Sequence, residues 1–173
     1  DYSFFDRFVR IGDWLTFLNA VDSNGSGDFS GLLGDNGMEM ITYNGSQWIA
    51  KSWSCSATGQ SFTATQVSKI AVSYVSFNLY CRFANWVATG NVNTGAYSFA
   101  SSAANANVSF IDYSFSGVRL PTENEFYKAA YYNPTTEIYN TYGSTNLVAG
   151  IPIQTDVNSD GTLMDQSGTP HSL

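Results

Sequence analysis

The sequence predicts an α+β fold of two to three helices, short strands paired as hairpins, and much irregular loop. Three observations carry this. Apolar residues recur at spacings of three and four in three separate stretches. Short alternating or β-branched runs lie between them, bounded by polar turns. Small hydroxyl and amide side chains are abundant, with 22 Ser, 15 Thr and 15 Asn among 173 residues, and these residues favour turns and caps over element interiors.

The first helix is carried by Ile11, Trp14, Leu15, Leu18 and Val21, which share one face. It stops at the polar, Gly-rich run from Asp22 to Asp28. The second has Ser76 at its N-cap, with Phe77, Tyr80, Cys81, Ala84 and Val87 on one face, so Cys81 points toward the core. The third follows Leu120-Pro121. Thr122 at the N-cap and Glu125 three residues later make a capping box, each side chain answering an orphan backbone donor, so the helix starts at Glu123. Between the helices, Gln66 to Val72, Ala96 to Phe99 and Asn107 to Ile111 read as strands or hairpin arms, and Asn93-Thr94-Gly95 as a turn. From Asn133 to Leu173 periodicity disappears, and residues 133–173 read as a long polar loop or tail wrapped on the core.

Length and composition bound the function. A chain of 173 residues with 43% hydrophobic and 16% aromatic content folds as a single domain with a sizeable core. Only 12% of residues are charged, about half of the usual share. The net charge of −7 argues against nucleic acid, whose binders cluster Lys and Arg on one face. Residues 40–111 contain no acid at all, while seven lie on either side. Such low-charge, aromatic-rich composition points to the extracellular space, a cell surface or a virion surface. No apolar run approaches the roughly 20 residues needed to span a bilayer, so membrane insertion is not expected. Cys55 and Cys81 could form one bridge in an oxidising compartment.

Four stretches resemble the formylglycine-generating enzyme and sulfatase-modifying-factor family. Arg119 to Tyr132, RLPTENEFYKAAYY, is similar to the family stretch R-L-P-T-E-x-E-W-E-x-A-A. Val72 to Val87, VSYVSFNLYCRFANWV, resembles a helix opening on V-S-W and closing on N-W-L. Phe17 to Val21, FLNAV, resembles the end of the first family helix, and Gly95 to Phe99, GAYSF, a hairpin of one bacterial branch. The four occur in family order over about residues 9–139. The resemblance implies a C-type-lectin-like fold with small twisted antiparallel sheets. It also implies what a catalytic member would need, a late cysteine pair holding copper as thiolates. Neither Cys55 nor Cys81 matches that position, and the late G-N-V-W-E-W and R-G-G-S-W blocks do not occur before Leu173. The expectation is a family domain incomplete at its C-terminal side, not an enzyme in this form, with copper not expected.

The candidate sites follow from chemistry. Tyr127, Tyr131, Tyr132, Tyr139 and Tyr142 gather around the end of the third helix, and tyrosine offers a flat apolar face with a hydroxyl at low entropic cost. They are the expected ligand-binding residues, with a protein or a glycan as the ligand. Asp156, Asn158 and Asp160 place oxygens at alternate positions before Gly161, the front half of a calcium loop. Position twelve is Ser167, so Asp165 would have to complete that candidate site. Asp22 to Asp28 repeats the pattern with weaker ligands. His171, the one histidine, lies two residues before Leu173 and is no basis for a nucleophilic triad. Glu125 is accounted for by the capping box and Glu123 by the helix dipole. The function expected is non-catalytic surface display, structural or receptor-binding work, in a homo-oligomer or with other chains. The alternative is a copper oxidase acting on a protein cysteine, its catalytic half outside this chain.

Overall fold

The computed structural model describes residues 8–29, 40–55 and 59–140, with two short strands at 156–157 and 163–164. The architecture is mixed α+β. Four helices and five two-stranded antiparallel sheets occur among the described residues. Residues 7–120 form one compact unit, and 121–173 belong to a second.

In the first unit, helix α1 (Ile11–Val21) buries Ile11, Trp14, Leu15, Phe17 and Leu18, the face its spacing predicts with Phe17 added and Val21 only partly buried. Asp13 caps it by accepting from the Arg10 main-chain N–H at 2.9 Å. The orphan N–H groups of its first turn find main-chain carbonyls. Ile11 donates to Ile70 at 2.8 Å and Gly12 to Ser68 at 2.9 Å, which satisfies donors that otherwise require side chains or water. A Cβ on Gly12 would lie 3.0 Å from the Ser68 carbonyl, so the close approach depends on that glycine.

Four short strands follow. Strands β1 (Ile41–Tyr43) and β2 (Trp48–Ala50) pair as a hairpin, as do β3 (Trp53–Ser54) and β4 (Ser61–Phe62). The next segment corrects an expectation. Gln66 to Val72 is not a strand, because helix α2 (Ala64–Val67) occupies its start. The cause is local: the Thr63 hydroxyl accepts from the Gln66 N–H, and the Gln66 side chain accepts from the Thr63 N–H at 2.9 Å. That reciprocal cap outweighs the β-branched composition.

Helix α3 (Phe77–Thr89) starts at the Ser76 N-cap and ends on Gly90, whose φ of 77° is left-handed. Its buried side is wider than the predicted face and displaced from it. Leu79, Cys81, Arg82, Phe83, Ala84 and Asn85 are buried, whereas Phe77 and Val87 are exposed. The helix serves two clusters. Phe83 stacks on Trp14 at 5.3 Å and meets Phe17 edge-on at 5.4 Å, joining α1 to α3. Cys81 and Ala84 pack instead with Ala96 and Tyr97, at the hairpin of β5 (Tyr97–Phe99) and β6 (Val108–Ile111).

One device docks both long helices onto hairpins. The Asn19 side chain of α1 accepts from the Trp48 N–H at 2.6 Å and donates to the Trp48 carbonyl at 3.0 Å. The Asn85 side chain of α3 does the same to Tyr97, at 3.1 Å and 2.8 Å. In each case the amide satisfies the main-chain groups that point away from the partner strand, as another strand would. Exposed edges are thereby closed without a third strand. Leu120 is held as well, its N–H donating to the Tyr97 hydroxyl at 2.7 Å.

In the second unit, helix α4 (Glu123–Tyr131) has the predicted cap. Thr122 Oγ1 accepts from the Glu125 N–H at 3.3 Å, and Glu125 Oε2 accepts from the Thr122 N–H at 2.8 Å. The expected loop after Asn133 is in part a hairpin of β7 (Tyr132–Asn133) and β8 (Ile138–Tyr139). Asn133 Oδ1 accepts from the Thr135 and Thr136 N–H groups, an Asx turn that folds the chain back across Pro134. A second hairpin pairs β9 (Asp156–Val157) with β10 (Leu163–Met164). Strands of two residues leave no periodicity for a sequence pattern to register.

Candidate functional site

Helix α4 sets the candidate site. Its first turn carries Glu123 and Glu125 at the positive end of the helix dipole, and Lys128 lies in its last turn, which is the favourable order. None of its residues is buried. Tyr127 and Tyr131 are one turn apart and therefore on one face, with ring centroids at 4.9 Å. The helix runs directly into β7, and the Asx turn brings β8 back antiparallel with Tyr132 opposite Tyr139. That register lays Tyr139 over Tyr127 at 5.2 Å with the rings 22° apart, and beside Tyr132 at 5.2 Å.

Four of the five predicted tyrosines thus form one contiguous group. Tyr142 lies outside the described residues. Tyr127 is 50% and Tyr139 48% exposed, while Tyr131 and Tyr132 are half-buried. The Lys128 ammonium stands 5.4 Å from the Tyr132 ring centroid, inside cation–π range. Phe126 and Ile138 add exposed apolar surface on the same helix and hairpin. The four hydroxyls make no hydrogen bond to another described residue. Such a group can stack against a flat or apolar partner while its hydroxyls remain available as donors and acceptors.

Of the candidate calcium residues, Asn158, Asp160 and Asp165 lie outside the described residues, and Asp156 is described only as backbone in β9. Strands β9 and β10 fall at positions 1–2 and 8–9 of that twelve-residue stretch. The other acidic loop is turned on itself. The Asp22 carboxylate, 3% exposed, accepts from the Ser26 N–H at 2.9 Å, the Ser26 hydroxyl at 2.7 Å and the Gly27 N–H at 2.9 Å. Its carbonyl also accepts from Trp48 Nε1 at 3.0 Å. Those oxygens organise a turn. Among the described residues, no group of three or more His, Cys, Asp or Glu side chains is placed to hold a metal ion.

The cysteines are not bridged: both are thiols. Cys81 is fully buried, and burial pushes its thiol up to about 12, the reverse of what a thiolate ligand or nucleophile requires. The pattern reading missed two buried polar residues on α3. Asn85 is one. Arg82, also fully buried, donates from Nε to the Ala104 carbonyl at 3.1 Å, from one terminal nitrogen to the Ser101 and Ala103 carbonyls, and from the other to Asn93 Oδ1. Its guanidinium lies 3.8 Å from the Phe99 ring centroid. The planar, multi-donor head satisfies several carbonyls at once, so Arg82 shapes the 99–104 segment with four of its five N–H donors. The signal that could have found both is their position, next to Cys81 and Ala84 on the buried side of the helix.

No helix among the described residues is long and apolar enough to cross a membrane. No protein-family model, curated protein or solved structure matches this chain.

Proposed function

We propose that the chain is a non-catalytic recognition module with a C-type-lectin-like fold of the formylglycine-generating-enzyme type, displayed on a cell or virion surface. Its ligand is a protein or a glycan, and its working form is a homo-oligomer or an assembly with other chains. The observation that carries this reading is the exposed tyrosine group on α4 and the β7–β8 hairpin, with stacked rings and hydroxyls not engaged by other described residues. Aromatic faces of this kind supply contact area at low entropic cost.

One further observation supports the family assignment. The stretches that resemble the family interlock through Asn85, Tyr97 and Leu120, which gives those motifs a shared structural purpose. The alternative is a copper oxidase acting on a protein cysteine, with its catalytic half outside this chain; such an enzyme needs thiolate ligands, and within this chain the buried Cys81, its thiol pushed up to about 12, is unsuited to that role. A titration separates the two. The purified chain competes with a copper(I) chelator while an immobilised glycan array and a panel of cell-surface protein ectodomains are probed with the same labelled chain. Recognition predicts array or panel binding without stoichiometric copper. Stoichiometric copper(I) uptake without any binding would overturn the proposal.

A further inference from the structure

The tyrosine group has a second chemical capability besides recognition. Phenol rings that touch can be joined by oxidation, and the geometry singles out one pair. We infer that the group is an oxidative cross-linking site, at which a one-electron oxidant of the peroxidase class, using hydrogen peroxide, joins Tyr127 to Tyr139 as an intramolecular dityrosine.

The selection is structural. Tyr127 and Tyr139 are the most open rings of the group, so an external oxidant reaches them first. They are also in contact with each other, stacked at 5.2 Å. Tyr74 and Tyr113 are exposed too, but neither has a ring partner among the described residues, so their radicals could couple only with another molecule. Tyr97 is buried, and the hydroxyls of Tyr43 and Tyr80 donate to the carbonyls of Ser23 and Val72. Among the described residues, Tyr127 and Tyr139 are the one pair of exposed tyrosines whose rings touch.

Each phenol gives up one electron and its hydroxyl proton, leaving a radical whose spin is shared by the carbons ortho to oxygen. One carbon–carbon bond forms between an ortho carbon of each ring. The hydrogen on each bonded carbon moves to oxygen and restores the phenol. The two electrons and two protons reduce one hydrogen peroxide to two waters. The product covalently ties α4 to β8 and closes the chain between residues 127 and 139.

The sequence supplies a direct assay. Lys128 is the last Lys or Arg of the chain, so trypsin places Tyr127 on the peptide 120–128 and Tyr139 on the peptide 129–173. The intact chain, mixed in equal parts with its uniformly 15N-labelled form at low concentration, is treated with a peroxidase and hydrogen peroxide, then digested. The expected product is peptide 120–128 joined to 129–173, two hydrogen atoms lighter than the sum, with dityrosine fluorescence and fragments placing the bond at Tyr139. Both peptides of each linked pair carry the same isotope. The product disappears in Tyr127→Phe and in Tyr139→Phe and persists in Tyr113→Phe, with circular dichroism unchanged in all three. Mixed-isotope pairs, a peptide 120–128 that stays unlinked in the wild-type chain, or a link that survives Tyr139→Phe would each overturn the inference.

Discussion

Asn85→Ala tests how the larger unit holds its second hairpin. The wild-type amide makes three contacts, donating to the carbonyls of Tyr97 at 2.8 Å and Val92 at 3.2 Å and accepting from the Tyr97 N–H at 3.1 Å. Asn85 is fully buried and Tyr97 is 2% exposed, so water cannot replace the lost groups without entering the cluster. A buried donor or acceptor left unmet costs about 1–3 kcal/mol. With three groups orphaned and some relaxation, the expected loss is about 3–5 kcal/mol, a large part of the 5–15 kcal/mol typical of a domain. Asn85→Asp should be at least as damaging at neutral pH, because a carboxylate keeps the Tyr97 N–H but faces two carbonyls and buries a charge. Gly95 provides the coupling test. A Cβ there would lie 2.4 Å from Asn85 Oδ1, so Gly95→Ala should cost less in the Asn85→Ala background than in the wild type. Urea unfolding followed by tryptophan fluorescence reads all five proteins. A loss below about 1 kcal/mol for Asn85→Ala, or strictly additive costs, would refute the reasoning.

Thr122→Ala removes the N-cap of α4 and should destabilise that helix by about 1 kcal/mol, seen as faster amide exchange at Glu125 with little change at Leu79 or Phe83. Cys81 and Tyr97, both pushed up to about 12 by burial, make alkaline stability pH-dependent. Below about pH 9 the folded and unfolded chains both hold the Cys81 proton; between about 9 and 12 only the folded chain does, so stability falls by roughly 1 kcal/mol per pH unit, with Tyr97 adding to the slope above about pH 10. Cys81→Ala should flatten the Cys81 part of that decline in urea titrations at pH 7 to 10.5 (~3.5 units of range), and an unchanged slope would contradict the burial argument. Gly25→Ala places a Cβ 2.3 Å from Tyr43 Cδ1 at a φ of 69° and should lower stability by about 2 kcal/mol, detected as a lower urea midpoint with an unaltered slope.

The helices were legible in the sequence because their signals are local and redundant. The Thr122 and Ser76 caps and the spacing from Ile11 to Leu18 each depend on residues within one or two turns. The misread segment shows the same logic: Thr63 and Gln66 carry a T-x-x-Q cap, but the Val67, Ile70 and Val72 pattern masked it. Strands of two residues, such as Tyr132–Asn133 and Ile138–Tyr139, are set by an Asx turn and by pairing, which no periodicity encodes. The docking roles of Asn19 and Asn85 depend on strands 29 and 12 residues away, so they became visible only in three dimensions. The tyrosine group was legible as composition, and four of its members do meet. The stacking of Tyr139 on Tyr127 required the hairpin register.

Recognition through the tyrosine surface is the central claim, and one comparison tests it most directly. The wild-type chain and the double variant Tyr127→Ser/Tyr139→Ser are labelled identically and probed in parallel on the glycan array and the ectodomain panel. Neither ring is buried, so circular dichroism and the urea midpoint should coincide for the two proteins. The account predicts that the ligands bound by the wild type are lost, or weakened at least tenfold (~1.4 kcal/mol), in the variant. Equal binding by both proteins, with folding equally intact, would contradict it.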